Sequence, residues 1–136
     1  LIAMFAWVLR FGLFGAGDPG SGVWMLIISM IVYGVAFDFF NISGSLYVNM
    51  RTSGKIQNSA QGLFMLMTNG IGATIGTLSA QAVVNHFTES FTAASGTYMV
   101  GDWSTVWYIF AGYAFVVAIL FMILFKDPKN SNEKIA

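Results

Sequence analysis

Cysteine is absent from this 136-residue chain, histidine occurs once and proline twice. Disulfides and thiolate metal sites are therefore excluded, and His86 alone cannot build a metal centre. Charge is scarce as well: six basic and six acidic residues, 9% of the chain, cancel to a formal net charge of zero. A soluble domain has about a quarter of its residues charged, so a water-facing globular surface is out of reach. Without a basic excess there is also no electrostatic footprint for nucleic acid. Hydrocarbon takes up the difference. The chain is 57% hydrophobic with 13 Phe, 5 Tyr and 4 Trp, and its mean hydropathy is +0.72. That composition belongs to the membrane class, with the bilayer as the principal partner.

Four apolar segments stand out, at residues 1–16, 23–48, 60–84 and 106–125. A spanning helix needs about 20 residues. The last three segments meet that length; the first is entered midway, so the sequence is expected to be a piece of a longer chain. The expected fold is an all-α membrane protein of four transmembrane helices, followed by a polar tail at 126–136. The opening LIAMFAWVLRF has no charged n-region and does not read as a signal peptide. Gly17–Gly22, GDPGSG, has the chemistry of a tight turn.

Basic residues set the orientation. Apart from Arg10, every Lys and Arg lies in the second connection (Arg51, Lys55) or in the tail (Lys126, Lys129, Lys134). The positive-inside rule then puts 49–59 and 126–136 in the cytoplasm and 17–22 and 85–105 on the outer side. Trp103, Trp107 and Tyr108 become the outer aromatic belt of the last helix, which is apolar all round and expected at the periphery.

Asp38 is the one carboxylate inside a span. A charge at that depth costs at least a few kcal/mol and persists for a reason, such as ion or solute traffic, or as a satisfied structural group near the inner interface. At 1.5 Å rise per residue from Val23, Tyr33 lies about 15 Å in and Asp38 about 22 Å in. Tyr33, Phe37, Asn41 and Gly44 follow one helical face, with Gly34, Asp38, Asn41 and Ser45 on the adjacent stripe. Aromatic planes beside a carboxylate and a carboxamide suit a planar, hydroxylated solute held near the midplane. Tyr33, Phe37, Asp38 and Asn41 are the candidate binding residues, and Asp38 is the candidate proton carrier. Taken singly, Tyr33 and Phe37 read as ordinary packing. In the third segment Gly72, Gly76 and Ala80 form a small-residue stripe for close helix packing, with no ligand contact expected. Asn69, Ala73, Thr77 and Gln81 run beside it. Arg10 is expected to pair with a carboxylate elsewhere or to reach outward to the interface; its depth separates it from Asp38.

These strings are also specific. VYGVAFDFFNISGSLYV, IQNSAQGLFMLMTNGIGATIGTLSAQAVV and DWSTVWYIFAGY closely resemble the C-terminal part of bacterial nucleoside:proton symporters, within the major facilitator superfamily. The resemblance implies a twelve-helix protein of which this chain supplies helices nine to twelve, the tenth lining the central cavity. It implies that Tyr33 and Phe37 contact the nucleoside and that Asp38 is needed for transport. It further implies a bacterial inner-membrane location, a proton as coupling ion with no other cofactor, and the remaining helices of the transporter as partners. The stretch FTESFTAASGTYMVG is longer than the family pattern leads one to expect and resembles an insertion. The nearest alternative is a facilitator for a sugar or drug-like solute. An intramembrane aspartyl protease needs two carboxylates sharing a proton, and only Asp38 lies within a span, so no enzyme is expected. A membrane scaffold would not need an acidic, aromatic face.

Overall fold

The structure, a computed structural model, describes residues 1–125; the cytoplasmic tail expected at 126–136 lies outside the described residues. Helix α1 runs Ile2–Ala16 and helix α2 Val23–Arg51. A long third rod follows, made of α3 (Gln57–Met65), a π-helical turn (Leu66–Gly72) and α4 (Ala73–Phe87). Strands β1 (Thr88–Ala93) and β2 (Gly96–Gly101) precede the last helix, α5 (Trp103–Leu124).

Local chemistry sets the boundaries. After α1 the chain turns where Asp18 accepts hydrogen bonds on Oδ1 from the Gly20 N–H at 2.6 Å and the Gly22 N–H at 3.3 Å. That carboxylate thus replaces the backbone acceptors a helix would have supplied. Helix α2 runs three residues beyond its expected end at Val48. Thr52 then closes it, its hydroxyl and its N–H both donating to the Val48 carbonyl. Asp102 caps α5 by accepting from both the N–H and the hydroxyl of Thr105. These bonds hold its carboxyl below the usual range, because they favour the charged form.

By length and apolarity three helical stretches are able to cross a bilayer: Val23–Arg51, Gln57–Phe87 and Trp103–Leu124. Helix α1 has 15 residues, about 22 Å against a hydrocarbon core of about 30 Å, so it falls short of a span by itself. The third rod, at 31 residues, exceeds the 60–84 expected from the sequence. Its extra residues are Gln57, Asn58 and Ser59 at one end and Asn85, His86 and Phe87 at the other.

The all-α expectation fails in one place. The outer connection contains an antiparallel hairpin, with Phe91 opposite Tyr98 and Ala93 opposite Gly96. Ala94 and Ser95 form its two-residue loop. Gly96, at φ 139°, takes a backbone conformation closed to other residues.

Helix α1 is the hub, packed between α2 and α5. Against α5, Trp107 stacks on Phe14 at 4.8 Å and on Phe11 at 6.1 Å. The Tyr108 ring fills the notch left by Gly15, where a Cβ would come within 2.9 Å of it. Fully buried positions are small: Ser29, Ala36, Val106 and Ala118. Large apolar side chains point outward instead, Leu124 at 74% and Ile31 at 67% exposure. That inside-out pattern suits helices solvated by lipid. Leu1, Met50 and Phe125 line one cleft, so the ends that an alternating path must bring together do meet.

Candidate functional site

Helix α2 carries the candidate residues, and its faces can be placed by counting. Ser29 and Ala36 are buried against α1 and fix the inward direction. At about 100° per residue, Tyr33 sits some 50° from that direction, at the edge of the contact. Phe37 and Asn41 step progressively away, and Asp38 is about 190° round, on the opposite side of the helix. The structure therefore brings Tyr33 and Phe37 together, with ring centroids 5.8 Å apart. Asp38 is carried away from α1 and is exposed. Among the described residues its carboxylate has no hydrogen bond or ion pair. Asn41 donates from Nδ2 to the Phe37 carbonyl at 2.8 Å, which ties half of its amide to its own helix.

Tyr33 is held from α1. The guanidinium carbon of Arg10 stands 4.0 Å from the Tyr33 ring centroid. Trp7 meets the same ring edge-on at 5.7 Å and 72°. Arg10 Nε is buried and has no hydrogen-bond partner among the described residues, and ring faces lie against the guanidinium instead. Among the described residues the company of Arg10 is this aromatic cage. Its geometry depends on two helices meeting, which a reading of each segment alone does not supply.

Farther in, a second polar cluster closes on itself. Gln61 Nε2 donates to the Ser45 carbonyl at 2.8 Å and to Asn49 Oδ1 at 2.7 Å. The Ser45 hydroxyl donates back to Gln61 Oε1 at 3.2 Å. Beside it the Phe64 ring occupies the space at Gly44, where any Cβ would collide. Ser45 and Asn49 share the helical face of Asp38, about two and three turns farther along the helix. Matching Ser45 to Gln61 across the antiparallel pair sets Asp38 level with residues 68–69, within the π-helical turn Leu66–Gly72. A π turn widens the helix, leaves a backbone carbonyl without its usual partner, and is frequent at functional sites. No periodicity in LMTNGIG announces it.

The small-residue stripe stays open within the described residues. A Cβ on Gly76 would meet nothing within 4 Å, while one on Gly72 would meet only the Met67 carbonyl of its own helix, at 2.9 Å. Ala80 is half-buried. Two cavities lie elsewhere: about 730 Å³ at the inner end between Phe40, Tyr47, Phe64 and Phe121, and about 710 Å³ under the hairpin beside His86 and Glu89. Neither includes Tyr33, Phe37 or Asp38. His86 is exposed at the outer end of α4, edge-on to Phe87. Among the described residues no cluster of metal-ligating side chains occurs.

Residues 1–130 match the family model described as Nucleoside H+ symporter. The chain is similar to the xanthosine permease of Escherichia coli K12, 49% identical over 98% of this chain and 31% of that protein. It is equally similar to the nucleoside permease NupG of the same organism, 49% identical over 93% of this chain and 28% of that one. A crystal structure of the nucleoside transporter NupG superposes with a TM-score of 0.80, covering 93% of this chain and 29% of that chain. The chain thus spans under a third of the length of these relatives.

Proposed function

Because the chain belongs to the nucleoside H+ symporter family, we propose that it forms part of a transporter that takes up nucleosides with protons across the bacterial inner membrane by alternating access. It supplies helices nine to twelve of a twelve-helix major facilitator fold, with the second connection and the tail in the cytoplasm. The remaining helices of the transporter lie along the open faces of α2 and α4, where Gly76 has room for a close neighbour.

The observation that carries the reading is the contrast within one helix. Tyr33 and Phe37 form a braced aromatic pair, while Asp38 beside them has no partner among the described residues. Tyr33 and Phe37 stack on the nucleobase, and Asn41 offers its carboxamide oxygen to a hydroxyl or base edge. Asp38 takes a proton on one side of the membrane and releases it on the other. One charge moving down about 100 mV releases about 2.3 kcal/mol, enough for roughly fifty-fold accumulation of a neutral solute. No cofactor besides the proton is needed.

The test is equilibrium binding by the full-length transporter. Uridine and adenosine should bind, and a panel of sugars should not. Sugar binding without nucleoside binding would transfer the chain to a facilitator of another solute.

A further inference from the structure

We infer that Arg10 is a positioning residue for nucleoside binding: its guanidinium backs one face of the Tyr33 ring and so fixes the other face for the base. This rests on the stacking role proposed for Tyr33 above, and adds a residue on a different helix that acts only through it.

The geometry is specific. Of the arginine's aromatic neighbours, Tyr33 is the nearest at 4.0 Å, with Trp7 at 5.2 Å and Phe14 at 5.7 Å. A tyrosine at the rim of a helix contact, 37% exposed, would otherwise turn about its first two side-chain torsions. Here one face meets the guanidinium, the Trp7 ring blocks an edge, and Phe37 stands along the helix at 5.8 Å. The 37% of Tyr33 that stays exposed is what remains for a planar ligand. The Arg10 backbone is fixed too, because the buried Ser29 hydroxyl donates to its carbonyl at 3.1 Å. Helix α1 thereby holds the platform at a set height against α2.

Among the described residues the arginine has no ionic partner that would draw it off the rings. Its Nε is buried without a hydrogen-bond acceptor, and among the described residues no carboxylate pairs with it. A cation kept in an apolar interface without a counter-ion is costly. The attraction of its charge for the ring quadrupole is what offsets that cost, and desolvation strengthens it. The planar guanidinium stacks on a ring in a way an ammonium does not.

The experiment is a double-mutant cycle on nucleoside affinity, using uridine as probe and the full-length transporter in detergent. Arg10→Met should weaken binding about tenfold on the wild-type background. On a Tyr33→Ala background it should add less than about twofold, since the ring it braces is gone. Arg10→Lys should recover part of the loss, and it serves in place of the methionine variant if that one fails to fold. If the losses from Arg10→Met and Tyr33→Ala simply multiply, Arg10 acts elsewhere and the inference is overturned, with Tyr33 still in the site. If Tyr33→Ala alone leaves affinity unchanged, the stacking role fails and takes the positioning role with it.

Discussion

The two halves of α2 treat polar residues in opposite ways. In the inner half, Ser45 and Asn49 are bound by Gln61, and Gly44 admits Phe64 so that α3 can approach. In the middle, Asp38 is unpartnered among the described residues and the neighbouring Tyr33 and Phe37 rings stay over a third exposed. In hydrocarbon a polar group without a partner is costly, so helices close such groups whenever a neighbour can reach. The inner cluster is closed and therefore reads as structure. The middle one is open among the described residues, and that is why the proposed site is placed there.

That contrast can be broken most severely at Asp38. Asp38→Asn should abolish concentrative uptake in vesicles carrying a pH gradient, while the protein still folds; accumulation at the wild-type level would make the open carboxylate structural. Tyr33→Ala should come next. Base–aromatic stacking contributes about 1–3 kcal/mol, so nucleoside affinity should fall roughly five- to hundred-fold with little change in melting temperature. Gln61→Leu should do the reverse. It unpairs Ser45 and Asn49 and should cost about 0.6–2 kcal/mol of stability, read as a lower melting temperature, with affinity kept. A selective loss of affinity there would erase the distinction between the two halves. The smallest effect is expected at Gly12, where a Cβ would meet nothing within 4 Å. Gly12→Ala should be neutral or stabilise by up to about 1 kcal/mol through the helix backbone, and a marked loss of folded protein would mean that α1 has a closely packed neighbour at that point.

Much of the architecture was legible because bilayer solvation acts on runs of residues. The apolar stretches and the GDPG turn follow from composition and local chemistry alone. The hairpin was not legible. TESFTA and GTYMVG alternate too briefly to outweigh the reading of a polar connection between spans, and their pairing is fixed only when the strands meet. The π turn escaped for a related reason: one wider turn leaves the surrounding residue spacing unchanged to the eye. At the candidate site the residue types were readable and their company was not. Asn41 looked free and is tied to Phe37, while Arg10 was sought beside a carboxylate and stands on Tyr33.

By itself the sequence determined that this chain lives in a membrane, where its apolar helices lie, and that Asp38 is the one carboxylate within them. Those properties are sums over neighbouring residues, and no folding is needed to evaluate them. Only the tertiary structure decided which polar groups are closed and which remain open, and that Arg10 braces Tyr33. Such facts depend on side chains from different helices meeting at one depth and one angle, and spacing along a single helix does not specify the rotation of its neighbour.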